Sequence, residues 1–142
     1  MHRACVRTAA AVAAALLLLT APGRAMAADP APPEPTCTIV GTPGDDVLVG
    51  TPGDDVICGL GGDDVLLGED GGDVLLGGPG DDTLVGGFGY DQLSGGSGSD
   101  LLADTREAGT QDGGDGPDRC IGVYGSIFTG CEVERVLGSR NS

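Results

Sequence analysis

The sequence predicts an all-β domain of stacked coils, in which two parallel sheets lie back to back. Three observations carry this expectation. From Gly41 to Ala103 the chain divides into seven consecutive units of nine residues, with no residue inserted or lost. The fourth position of every unit is glycine (Gly44, Gly53, Gly62, Gly71, Gly80, Gly89 and Gly98). The sixth is aspartate (Asp46, Asp55, Asp64, Asp73, Asp82, Asp91 and Asp100) and the eighth is aliphatic (Leu48, Ile57, Leu66, Leu75, Leu84, Leu93 and Leu102).

The period decides between order and disorder. With 28 glycines and 9 prolines in 142 residues, an aperiodic chain would read as low-complexity and unfolded. A fixed period is instead the signature of a repeat architecture. Within a unit the glycine-rich half permits positive φ and a tight turn. Runs such as Val-Leu-Val or Val-Ile-Cys suit a short strand that points its middle side chain to one face. One unit is then a turn plus a strand, and two units make a flattened coil of 18 residues with a strand on each face. The eighth-position side chains meet between the sheets. A single coil cannot bury that layer, so stability requires several.

The segments outside the seven units follow in order. Arg3 and Arg7, the apolar run Ala9 to Leu19 and the small-residue pattern Ala25-Met26-Ala27 predict a secretory signal peptide over residues 1–27. The apolar run is about half the roughly 20 residues a membrane span needs. Residues 28–40 form a proline-rich lead-in and N-terminal cap. The repeat region is assigned to 41–121. Within it, 104–112 is a degenerate unit with Gly109 where aspartate is expected, and Gly113 to Ile121 is again a recognisable unit. Residues 122–142 form a C-terminal cap and tail.

After cleavage the chain keeps all 22 acidic residues and four arginines (Arg106, Arg119, Arg135 and Arg140), a net charge of −18. Such a chain repels itself. The charge argues against nucleic acid or anionic lipid as partners, since both need a basic surface, and it argues for a bound cation. Odd units place Asp46, Asp64, Asp82 and Asp100 in one column, and even units place Asp55, Asp73 and Asp91 in another, with neighbours roughly 4.8 Å apart along the stack. Calcium suits such a place, because it takes six to eight carboxylate and carbonyl oxygens in flexible geometry. The fifth-position residues Asp45, Asp54, Asp63 and Asp81 are expected as solvated surface charge. An enzyme is not expected: the chain after the leader has no histidine or lysine to act as a base. No segment fits an EF-hand loop.

The units resemble the RTX, or hemolysin-type calcium-binding, nonapeptide G-G-x-G-x-D-x-U-x, in which U is aliphatic. The resemblance is close over Gly41 to Ala103 and returns at Gly113 to Ile121. It implies a parallel β-roll, a two-sheet β-solenoid, with Ca2+ held between same-edge turns by the sixth-position aspartates and turn carbonyls. That role carries over to the seven aspartates above and to Asp118. Together with the leader it points to a secreted calcium-binding protein; the short apolar run and acidic charge argue against membrane insertion, and the charge with the narrow core predicts a roll that folds on binding the ion. The alternative is a calcium-stiffened structural or adhesive protein of the cell surface or matrix. Thr42, Thr51, Leu60 and Glu69 depart from the second-position glycine, and those turns are expected to close with altered carbonyl geometry.

Four cysteines follow the leader, and an even count in an exported chain reads as two disulfides. Bridged Cα atoms lie within about 7 Å. Pairing across three or more coils would span about 16 Å or more at one strand spacing per coil. Only Cys37–Cys58 and Cys120–Cys131 survive, one at each end of the stack.

Overall fold

The computed structural model describes residues 35–138. The leader expected over 1–27, its cleavage after Ala27 and most of the proline-rich lead-in lie outside the described residues, as does the end of the tail. Among the described residues there are twelve strands and no helix. They are β1 (Ile39–Val40), β2 (Val47–Val49), β3 (Val56–Cys58), β4 (Val65–Asp70), β5 (Val74–Pro79) and β6 (Thr83–Phe88). They continue with β7 (Gln92–Ser97), β8 (Leu101–Asp104), β9 (Thr110–Asp115), β10 (Asp118–Val123), β11 (Ile127–Thr129) and β12 (Cys131–Leu137).

Odd strands form one six-stranded sheet, β1-β3-β5-β7-β9-β11, and even strands the other, β12-β10-β8-β6-β4-β2. Every neighbouring pair is parallel. Strand alternation is thus set by the repeat: each unit crosses to the opposite sheet, and the next unit but one returns to pair with it. The register is that of an 18-residue coil, with Leu48 beside Leu66, Leu66 beside Leu84, and Leu84 beside Leu102. The structure is a parallel β-roll, as the repeat predicts.

The eighth-position side chains fill the space between the sheets. Ile57, Leu66, Leu75, Leu84 and Leu102 are wholly buried, and Leu93 and Cys120 join them. The core is one side chain wide, so each layer depends on the layers above and below. Ile39 and Phe128 pack against its two ends.

The register survives the degenerate unit. Thr110 pairs with Gln92 and Gln111 with Leu93, so Gln111 occupies the aliphatic slot. It is buried, and its Nε2 donates to the carbonyl of Ile121 at 3.0 Å. The next coil is one residue short, because Phe128, not Thr129, lies beside Gln111. Cys37 and Cys58 are joined with a Cα–Cα distance of 6.0 Å, and Cys120 and Cys131 with 5.8 Å. These are the pairs that the coil spacing selects. The first ties the lead-in to β3; the second ties β10 to β12, past the last recognisable unit.

Candidate metal centre

The turns between strands stack along the two edges of the roll. In the central turns the fourth-position glycine is obligatory. At Gly80, φ is +140°, and a Cβ there would collide with the carbonyl of Gly62 in the preceding coil. Positive φ combined with contact between backbones leaves no room for any other residue.

This close stacking drives the sixth-position aspartates inward. Asp64, Asp73, Asp82, Asp91, Asp100 and Asp118 are at most 2% exposed, rare for a carboxylate unless it is partnered. One oxygen of each is accounted for. The backbone N–H of Asp46 donates to Oδ1 of Asp64 at 2.8 Å, that of Asp64 to Asp82 at 2.8 Å, that of Asp82 to Asp100 at 2.8 Å, and that of Asp100 to Asp118 at 2.9 Å. On the other edge the N–H of Asp55 donates to Asp73 at 2.9 Å and that of Asp73 to Asp91 at 3.0 Å. The second oxygen is not accounted for. Oδ2 of all six is buried without a hydrogen-bond partner. A buried anionic oxygen with no partner is costly, so these atoms mark where a cation would act.

Oδ2 shares the inner corner of the turn with a backbone carbonyl oxygen of the next coil. A Cβ built on Gly77 would collide with Oδ2 of Asp82 and lie 2.6 Å from the carbonyl oxygen of Gly95 in the next coil. Only glycine at the first position leaves this cradle open. No group of three or more histidine, cysteine or acidic side chains converges on one point among the described residues. The four cysteines are in disulfides. The available donors are therefore carboxylate and carbonyl oxygens, which fit a hard cation such as calcium and not zinc. The model of the RTX calcium-binding nonapeptide repeat (4 copies) matches residues 40–75 and 76–103. The chain carries RTX calcium-binding nonapeptide repeats. Such repeats bind Ca2+. No curated protein and no solved structure matches the chain.

The first two RTX turns are built differently from the rest. In Gly41–Asp46 and Gly50–Asp55 the second residue is threonine, and neither turn contains a positive-φ residue. Thr51 donates from its backbone N–H at 2.7 Å and from its hydroxyl at 2.8 Å to Oδ2 of Asp55. Thr42 treats Oδ2 of Asp46 in the same way. Thr38 adds its hydroxyl to Oδ1 of Asp55 at 3.0 Å. Of the eight sequence-predicted ligands, these two aspartates alone have Oδ2 occupied by neutral donors. Leu60 and Glu69 depart from glycine at the same position but keep the turn of the glycine units, at φ of 84° and 77°. The expectation of altered turns thus holds for the threonines and not for Leu60 and Glu69.

The Thr51 backbone N–H and hydroxyl hold Asp55 below the usual carboxylate range. Burial pushes Asp73 and Asp82 up to about 6, and repulsion from neighbouring aspartates adds to it. Burial likewise raises Asp91 and Asp100.

Two features escaped sequence reasoning. The exposed fifth-position aspartates are not merely solvated. Oδ1 of Asp45 accepts the N–H of Asp63 at 2.9 Å, Asp63 that of Asp81 at 2.9 Å, Asp81 that of Ser99 at 2.8 Å, and Asp54 that of Gly72 at 2.8 Å. They form an outer ladder reaching towards the following coil, opposite in sense to the inner one. In the eighth unit, Asp104 is wholly buried, and neither of its oxygens has a hydrogen-bond partner. Burial pushes it up to about 7, and the charges of Asp91 and Glu107 add to it; the backbone N–H of Arg106 lies near enough to oppose the rise but makes no hydrogen bond of good geometry to either oxygen.

Proposed function

We propose that this chain is a secreted calcium-binding protein whose β-roll folds as Ca2+ enters the stacked turns. The observation that supports it most is the double column of buried, unpartnered Oδ2 atoms on Asp64, Asp73, Asp82, Asp91, Asp100 and Asp118. In this reading each carboxylate gives Oδ2 to an ion and keeps Oδ1 for the backbone of the preceding coil, so the residue that binds metal also ties two coils together. Turn carbonyls complete the oxygen set. Asp46 and Asp55 stand at the start of their columns, where threonine already supplies the donors.

Metal binding and folding are then one process. A chain carrying −18 charges after the leader, with a core one side chain wide, gains compactness only when cations neutralise its turns. Sites in extracellular modules bind calcium with dissociation constants of about 10⁻⁴ to 10⁻³ M, suited to an exported protein. Two disulfides agree with an oxidising compartment. No helix among the described residues is long and apolar enough to cross a membrane. We assign no catalytic role: the oxygens of the cradle are ligands without a neighbouring base.

Equilibrium dialysis of the chain from residue 28 onward tests this reading. Several calcium ions per chain are expected, with weaker binding in Asp82→Asn. Binding of fewer than two ions, or identical binding by the variant, would refute it.

A further inference from the structure

The eighth unit carries no aspartate at its sixth position, which by the repeat pattern ends the even-edge column at Asp91. The structure indicates otherwise. Because β9 keeps register with β7, Gly109 lies one coil beyond Asp91, and the N–H of Thr110 donates to the carbonyl of Asp91 at 2.9 Å. In the regular units a Cβ on the first-position glycine would collide with Oδ2 of the sixth-position aspartate, as Gly77 would with Asp82. In the eighth unit the relation is inverted: a Cβ on Gly109 would collide with Oδ2 of Asp104. The inner corner of each turn thus holds one carboxylate over one glycine, and it can be delivered from either end of the turn.

We infer that Asp104, at the first position, is a calcium ligand that takes the place of the missing aspartate at 109 and completes a site with Asp91. Geometry carries the inference. Asp104 is 0% exposed, and both its oxygens are buried without a partner, whereas the regular aspartates leave only Oδ2 free. The difference has a plain cause. A carboxylate coming from position one does not meet the N–H of Asp91 in the way that Asp91 meets the N–H of Asp73, so no inner-ladder bond runs from Asp91 to this unit among the described residues. The unit gives up a coil-to-coil hydrogen bond and keeps two oxygens for an ion. The matched repeats end at residue 103, immediately before this aspartate.

The inference rests on calcium lying between the turns, so its test carries a control for that reading. Calcium per chain and the calcium midpoint of folding are measured for the parent, for Asp82→Asn, for Asp104→Asn, and for the reciprocal double variant Asp104→Gly with Gly109→Asp. Asp104→Asn is expected to bind one ion fewer and to need about tenfold more calcium, the equivalent of one lost charged ligand. The double variant should return both values to those of the parent. If Asp82→Asn has no effect, the turn reading itself fails. If Asp82→Asn weakens binding and Asp104→Asn does not, the inference alone fails. Should Asp104→Asn stay unfolded in saturating calcium, the double variant decides, and its failure to regain the parent's ion count overturns the assignment.

Discussion

The first coil and the central coils share a backbone plan and a register, yet they meet the same electrostatic demand by different means. In the first coil, Thr42 and Thr51 turn a hydroxyl and an N–H onto the aspartate at the end of their own turn. In the central coils the second residue takes positive φ, the turn packs against the coil before it, and the carboxylate is left with one free oxygen. The fourth-position glycines record the same difference. A Cβ on Gly44 or Gly53 would find nothing closer than about 3.9 Å, whereas one on Gly71 would lie 2.6 Å from the backbone carbon of Gly53. In the proposed reading, a carboxylate whose oxygens already accept hydrogen bonds within its own turn makes less demand on an ion than one left half-satisfied. In the same reading the threonine turns close the stack at the start of the two aspartate columns.

The largest effect expected to sharpen this comparison is on packing. Leu84→Ala, in the wholly buried layer, should cost about 2–5 kcal/mol in calcium-saturated thermal or denaturant unfolding. Leu48→Ala, at the half-buried edge of the first coil, should cost distinctly less. Equal losses would mean that the first coil is as tightly integrated as the centre.

Next comes the response to protons without metal. Asp73 and Asp82 are raised to about 6 in the folded chain. A folded-state pKa above the unfolded value near 3.8 means that the folded chain holds more protons across that window, so stability falls as pH rises through it. In excess chelator, acidification from pH 7 towards pH 5 should therefore increase β structure. Asp55 is lowered and works in the opposite sense: its contribution is present above the unfolded value and is lost as pH falls through the folded one. A chelated chain that loses β structure monotonically on acidification would break the comparison.

Smaller effects concern single turns. Thr51→Val removes one hydroxyl donor to Asp55 and should destabilise the calcium-saturated protein by about 1 kcal/mol without changing the number of ions bound. A change in ion count would place a metal at the first coil. Glu69→Gly relieves a side chain held at positive φ and should stabilise the roll by about 1 kcal/mol.

The period made most of the fold legible. The glycine, aspartate and aliphatic columns position both sheets, the buried layer and the two edges of turns, and the coil spacing selects the disulfides. What stayed hidden has physical causes. A column-by-column reading looks for aspartate at position six and misses Asp104, though glycine and aspartate exchange places between 104 and 109 in plain view. The buried Gln111 stands in an aliphatic slot, where its Nε2 finds the carbonyl of Ile121, a partner set by tertiary packing, while its Oε1 has none. The outer ladder of Asp45, Asp63 and Asp81 depends on how neighbouring backbones face each other, which composition does not encode. The contrast between Thr51 and Glu69 turns on φ, and both were simply non-glycine residues in the pattern.

The central claim is that unpartnered turn carboxylates make folding wait for calcium. Far-ultraviolet circular dichroism of the chain from residue 28 onward, titrated with calcium from excess chelator, tests it most directly. The account predicts a disordered spectrum in chelator that converts cooperatively to β structure as calcium approaches about 10⁻⁴ to 10⁻³ M. A strong β spectrum in chelator at pH 7, unchanged on adding calcium, would contradict it.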